Sequence, residues 1–302
     1  MKINLVATGG TIGSRYENDQ YVISDAATEQ IAAVLGADAV FGDFKIHSAG
    51  VDFADLNTLR LTIERALQDN PDGVVVTHGT DTLAFTAAYL AYAYASTRVP
   101  IVLCAADRPL TDDDSNGYDV LRAAKSFIAR GTRGVFVMYK NPGEVVRIHH
   151  GARLIPAHMH EDFYFSVGRG NNFADTGLMR GFDFELKNGK VLCIVPYVGM
   201  DYSAYDMTGY SAVVQVAYHS GRINTVKFNE FANKHPEIPM FFSAGKKKYP
   251  ANTFAPNVVQ CPYVTQTALY IKVLLGLHNN VKDIKSFVMK NACGEIFDGV
   301  SK

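Results

Sequence analysis

Cysteine is scarce in this chain: Cys104, Cys193, Cys261 and Cys293 are widely spaced and form no CxxC pair. That spacing excludes a zinc ribbon or a dithiol redox motif. The apolar runs Ile101-Val102-Leu103-Cys104 and Val191-Leu192-Cys193-Ile194 mark buried free thiols instead. Excess charge of one sign is also lacking. A formal net charge of -1 leaves no electrostatic footprint for nucleic acid or an anionic membrane, so the expected partner is a small molecule. Long hydrophobic runs are missing as well. The longest, Leu83 to Ala95, contains Thr86 and three tyrosines and falls short of a bilayer span. The opening stretch Ile3-Asn4-Leu5-Val6-Ala7 is too short for a secretory signal. The sequence therefore predicts a soluble, cytoplasmic protein, with no internal repeat or low-complexity tract.

What is present is enough apolar residue for a large core: 48% of 302 residues are hydrophobic, a length that suits two domains better than one. Short apolar runs alternate with amphipathic stretches through the first half. Strands are expected at 2–7, 44–48, from Val74, at 101–105 and at 134–139. Helices are expected at 25–35, 54–68, 82–96 and 118–129, with the 54–68 helix stopped by the turn Asn70-Pro71-Asp72-Gly73. Continuous apolar strands between helices are the pattern of a parallel sheet covered on both faces. The class is α/β. From Val167 to Gly189 the chain carries five glycines and no sustained periodicity, which reads as a linker. Beyond it strands are expected at 190–196, 212–218 and 240–243, with helices at 225–234 and 265–277. The organisation read from the sequence is a larger N-terminal parallel-sheet domain (1–166), the linker 167–189 and a smaller α/β domain (190–302).

Two hydroxyl-and-glycine turns stand out, Thr8-Gly9-Gly10-Thr11 and Thr77-His78-Gly79-Thr80-Asp81-Thr82, each following an apolar strand. If both strands are parallel, the turns open onto one sheet edge, where open α/β folds bind ligands. A Gly-Gly pair lets backbone N–H groups approach a ligand closely. Neither the lysine of a P-loop nor a full GxGxxG is present, which disfavours nucleotide phosphates. A threonine hydroxyl nucleophile remains. Thr11 is internal, so it needs a neighbouring base rather than its own α-amino group. Asp81 can orient Thr80 or hold a substrate ammonium.

These two motifs, about seventy residues apart, resemble the signatures of the bacterial-type L-asparaginase family. Weaker echoes are Arg108-Pro109 with Asn116-Gly117, Gly151-Ala152-Arg153, Ser220-Gly221-Arg222-Ile223-Asn224, and Thr265-Gln266-Thr267-Ala268 before Lys272. The likeness is greater to the cytoplasmic, type I branch. It implies hydrolysis of L-asparagine to L-aspartate and ammonia through an acyl-threonine, without a cofactor or metal. It also implies Thr11 as nucleophile and Tyr21 as the tyrosine of a flexible lid, with Tyr16 the rival. Thr80 and Asp81 fall on the second threonine and its acidic neighbour, which holds the α-ammonium. Ser48 falls on the residue that receives the α-carboxylate, and Gly79 lies in the substrate-contacting turn. The family assembles as homodimers or homotetramers, and Asn224 resembles a residue that a neighbouring subunit contributes. Glutamine or another amide is the alternative substrate, and a non-catalytic amino-acid-binding relative the alternative class.

The chain also departs from the pattern. Pro156 stands where the family has a relay lysine, and proline cannot transfer protons; Lys140, His158 and His160 are the nearest replacements in sequence. Ala49 and Gly50 replace polar residues beside Ser48. Other polar clusters have plainer readings. His149-His150 with His158 and His160 lacks the spacing of a metal site, and Asp112-Asp113-Asp114 that of a calcium loop. Lys246-Lys247-Lys248 reads as an exposed turn, and Tyr89, Tyr92 and Tyr94 as packing residues.

Overall fold

The computed structural model describes residues 1–157, 163–168, 172–187, 189–245 and 253–297. His158, His160 and Lys246-Lys247-Lys248 lie outside the described residues.

The first sheet has six strands in the order Ala39–Phe41, Ile3–Ala7, Gly73–Thr77, Pro100–Cys104, Gly134–Tyr139 and Arg147–His150. All neighbours are parallel except the last pair, which is antiparallel. Every residue of the four central strands is buried. Helices on both faces are the cause, and they explain why these strands read as continuous apolar runs rather than alternating ones. Each fully buried Val, Ile or Leu here contributes roughly 1.5–3 kcal/mol of transfer free energy.

Helix Leu83–Ala93 is buried on nearly its whole circumference. The Tyr92 hydroxyl donates to the Ala268 carbonyl at 3.1 Å, tying this helix to helix Gln266–His278. Tyr89 donates to the Phe184 carbonyl and Tyr94 to that of Arg60. The three tyrosines are packing residues with satisfied hydroxyls, as the sequence suggested.

A second, fully parallel sheet runs Val191–Ile194, Ala212–Val216, Met240–Ser243 and Val258–Gln260. Its core is continuous with that of the first sheet through helix Gln266–His278. Within that helix, Lys272 Nζ lies 2.6 Å from Glu295 Oε1, and the two side chains are 1% and 0% exposed. Glu295 also accepts the N–H groups of Ala292 and Cys293. The carbonyls of Cys293 and Gly294 in turn receive His150 Nε2 and Arg153 Nε, so the last described segment clasps the turn that ends the first sheet.

One expected strand moves. The 44–48 stretch forms only a bridge at Ile46, whose N–H donates to the Thr8 carbonyl at 2.8 Å. Ala39–Phe41 already occupies that edge of the first strand, and the positive φ of Gly9 and Gly10 ends the ladder. The helix expected to run to Ser96 ends at Ala93, and between Val167 and Gly189 the described residues form no helix or strand. All four cysteines are free. Among the described residues no helix is long and apolar enough to cross a membrane, and no group of three or more His, Cys, Asp or Glu side chains is placed to hold a metal ion.

Candidate active site

The chain passes from Ile3–Ala7 to Ala39–Phe41 on one side, then returns to Gly73–Thr77 on the other. The order therefore reverses between the first and third of these strands. In open α/β sheets such a switch point leaves a crevice at the carboxyl ends of the two strands, and ligands bind there. Both threonine turns open into it.

Side chains stitch the two strand ends together. Thr8 Oγ1 donates to the Thr77 carbonyl at 2.5 Å, while Thr77 Oγ1 accepts from the N–H groups of Thr8 and Gly9 at 3.1 and 3.3 Å. The turns then touch at their glycines. Gly10 has φ 73° and ψ 177°, a region open essentially to glycine alone. An added Cβ there would lie 2.4 Å from the Gly79 nitrogen, and one on Gly79 would lie 2.3 Å from Ser48 Oγ. Three segments of chain thus meet with no room for a methyl group.

Thr11 opens a short 3-10 turn, Thr11–Gly13, and is half-buried, as is Thr80. Among the described residues no hydrogen bond engages the hydroxyl of either threonine, nor the N–H groups of Thr11, Gly79, Thr80 and Asp81. Several free donors and two free hydroxyls around one crevice form a polar, anion-accepting lining.

Ser48 is fixed from behind. It begins the turn Ser48–Gly50, and Asp52 immediately caps helix Phe53–Gln68 in a reciprocal capping box with Asp55, a device worth about 1 kcal/mol. Ser48 Oγ donates to Asp81 Oδ2 at 2.5 Å, and Thr82 Oγ1 donates to the Ser48 carbonyl at 2.7 Å. The paired groups match the carboxylate acceptor and hydroxyl donor that an amino acid's ammonium and carboxylate require.

Tyr21 lies on a hairpin that follows Thr11 directly, Ser14–Glu17 paired with Gln20–Ile23. Asn18 and Asp19 both have positive φ, 50° and 60°, the geometry that matches strand twist in a two-residue hairpin loop. Tyr16 and Tyr21 stand directly opposite each other, rings 5.5 Å apart edge to face, and both are exposed. Ser14 Oγ donates to the Gly10 carbonyl at 2.7 Å and hinges the hairpin on the first turn.

Asn224 is not in this cluster. Its side chain caps helix Thr225–Lys234 through the Lys227 N–H, and it lines a cavity of ≈ 310 Å³ with Tyr197 and Tyr218, residues of the second sheet's region. Lys140 does not stand in for the missing lysine. Its Nζ is held by Asp119 Oδ2 at 2.6 Å, beside Asn116 at the ends of the next two strands. His158 and His160 lie outside the described residues.

Two further residues meet the second turn. His78 is fully buried, and its Nδ1 sits 2.7 Å from the Gly79 carbonyl. Burial, the largest cause, lowers its pKa below the ordinary histidine value despite that bond and the Asp81 charge. Tyr164, also buried, donates to the Thr80 carbonyl at 2.5 Å. His78 stood inside the motif but carried no sign of its role; Tyr164 is 84 residues from Thr80 in sequence, and nothing in the chain foretells the contact.

The N-terminal asparaginase family profile ("Asparaginase, N-terminal") matches residues 2–169. The chain belongs to the asparaginase family. The curated L-asparaginase of Thermococcus kodakarensis is 32% identical over 148 residues, 46% of this chain and 44% of that protein. A glutamyl-tRNA(Gln) amidotransferase component from Pyrobaculum aerophilum is 36% identical over 175 residues, 52% of this chain and 40% of that protein. The match thus spans less than half the length of these two curated relatives. The same amidotransferase component from Methanococcus vannielii is 24% identical over 350 aligned positions, 99% of this chain and 80% of that protein. Among solved structures, the Thermococcus kodakarensis enzyme superposes with a TM-score of 0.76 at 22% identity, covering 98% of this chain and 99% of that one. L-asparaginase I of Vibrio cholerae gives 0.75 at 18% identity, covering 98% and 99%. These likenesses show that the asparaginase fold extends across the chain.

Proposed function

We propose that this protein is an amidohydrolase that converts L-asparagine to L-aspartate and ammonia, with Thr11 as nucleophile. The observation that carries the reading is the contact of the two threonine turns at the switch point, with the Ser48–Asp81 pair alongside. Asp81 receives the α-ammonium and Ser48 the α-carboxylate, which leaves the side-chain amide to Thr11 and Thr80. Thr11 Oγ attacks the amide carbon, the C–N bond breaks, and the hydroxyl proton leaves with ammonia. Water then cleaves the acyl-threonine ester and restores the hydroxyl. Backbone N–H groups of the glycine turns are suited to the oxyanion, and Tyr21 on the hairpin closes over the site.

In this reading residues 1–166 and 190–302 are the two α/β units joined by 167–189, the protein is cytoplasmic and homodimeric or homotetrameric, and Asn224 serves a neighbouring subunit's site. Purified protein releases ammonia from asparagine, and Thr11→Ala abolishes the release. Undiminished turnover in that variant removes the assigned nucleophile.

Pro156 in the family's lysine position and exposed Ala49 and Gly50 beside Ser48 favour a second reading. In it the same crevice binds an amino acid without turnover, or hydrolyses a different amide, glutamine included. Ammonia release across a panel of amides, with ligand-induced thermal stabilisation measured in parallel, separates the two.

A further inference from the structure

The backbone of the second turn is held from the protein interior at two successive carbonyls. A carbonyl oxygen can only accept, so the ring nitrogen of His78 at 2.7 Å from the Gly79 oxygen must carry the proton. The neutral ring is then the Nδ1–H tautomer, and its Nε2, buried and without a partner among the described residues, is left as a bare lone pair. An unpaired buried acceptor is costly. The next carbonyl, that of Thr80, receives the hydroxyl of buried Tyr164, whose ring packs edge-on against Tyr139 at 4.7 Å.

The consequence lies in the peptide planes. No cis peptide bond is present among the described residues, and in a trans peptide the C=O and the following N–H point in opposite directions. With the Gly79 carbonyl aimed at a buried imidazole, the Thr80 N–H faces the other way. With the Thr80 carbonyl aimed at the Tyr164 hydroxyl, the Asp81 N–H does likewise. Neither N–H has a protein partner among the described residues.

We propose that His78, as its Nδ1–H tautomer, and Tyr164 are positioning residues that lock the Gly79 and Thr80 carbonyls inward and so present the Thr80 and Asp81 N–H groups to an anionic oxygen of the substrate. This rests on the amidohydrolase reading above for its kinetic consequence but not for its structural one. Neither side chain touches substrate. Each acts through a peptide group.

The test uses the intact chain. Asparagine places its Nδ2–H where histidine has Nδ1–H, so His78→Asn retains the anchor and His78→Leu does not. His78→Leu and Tyr164→Phe are each expected to lower kcat for ammonia release from asparagine by about 30-fold or more, less than the roughly 100- to 1000-fold cost of removing an oxyanion donor outright because the N–H groups are displaced rather than deleted, while KM changes less than about threefold. His78→Asn is expected to stay within about fivefold of the parent. Equal impairment of His78→Asn and His78→Leu at matched thermal stability overturns the proposal, as does parental kcat in His78→Leu. The imidazole 1H–15N correlation spectrum of the unsubstituted protein gives a second readout that needs no turnover. A proton on Nδ1 is expected, and a proton on Nε2 alone overturns the proposal even if His78→Leu fails to fold. A parent protein that hydrolyses no amide defeats the reading under Proposed function, and the spectrum still decides the tautomer.

Discussion

Ser48 and Asp81, 33 residues apart in sequence, share a hydrogen bond of 2.5 Å on the rim of the crevice. Ser48 comes from the short turn ahead of helix Phe53–Gln68 and Asp81 from the turn that follows Gly73–Thr77, so the bond ties these two turns together. The carboxylate is satisfied by the hydroxyl; in the proposed reading, the ammonium of a bound amino acid becomes its stronger partner.

Replacement of Asp81 by asparagine removes that charge-assisted contact, worth about 1.5–3 kcal/mol, and is expected to raise KM for asparagine by about 10- to 100-fold. Ser48→Ala removes a hydroxyl donor to the α-carboxylate, also a bond to a charged group, and raises it by about 10-fold or more. Steady-state ammonia release checks both. A KM for Asp81→Asn equal to the parent's would take the α-ammonium elsewhere.

The glycine contact makes a stability prediction. At Gly10 an alanine meets both a backbone conformation reserved for glycine and the Gly79 nitrogen at 2.4 Å. Gly10→Ala should cost about 2–4 kcal/mol, from backbone strain and overpacking together, with loss of activity. Denaturant unfolding measures the first, and an unchanged midpoint contradicts the close packing of the turns.

Tyr16 and Tyr21 are direct cross-strand neighbours on one hairpin, rings 5.5 Å apart. With Tyr21 as a lid tyrosine whose hydroxyl takes part in proton transfer, Tyr21→Phe lowers kcat by about 100-fold or more, the usual contribution of such a side chain. Tyr16→Phe, which loses only an exposed bond to Asp19, stays within about threefold. The reverse order would reassign the role.

His149 and His150 predict acid sensitivity. Burial holds both near pKa 4, below the ordinary 6.5, with Arg147 and Arg153 respectively acting in the same direction. The unfolded chain therefore binds more protons than the folded one between those values. Stability is greatest above about pH 6.5 and declines as pH falls towards 4, by on the order of 3 kcal/mol for each histidine. Denaturant midpoints at pH 7 and pH 4 measure the decline. A fall undiminished in a His149→Gln, His150→Gln double variant would place its origin in other groups.

Much of the fold was legible because the buried strands are unbroken runs of valine, isoleucine and leucine, and the helices between them end on turn residues such as Asn70-Pro71. The misplaced strand at 44–48 failed for a topological reason: Phe44-Lys45-Ile46 is locally competent, but the edge it would join was already occupied by Ala39–Phe41. The hairpin that carries Tyr21 went unread because its strands are almost wholly exposed, so no apolar period marks them. At the crevice, sequence proximity exposed Thr11, Thr80 and Asp81 as candidates. It was silent on Tyr164, which arrives from beyond the last strand of the first sheet, and on the geometry by which His78 reaches its own neighbour's carbonyl. Contacts of that kind arise only when the chain is folded.

The ion pair between Lys272 and Glu295 determines where this protein can be shortened. A chain ending before Glu295 would strand an ammonium inside a water-free interior, a penalty of about 3–5 kcal/mol. A chain ending before Cys293 would also free His150 and Arg153 from the Cys293 and Gly294 carbonyls. Damage at the tail would then propagate inward to the turn that precedes Tyr164. Truncated versions should keep Glu295, or exchange Lys272 for an apolar residue of similar bulk.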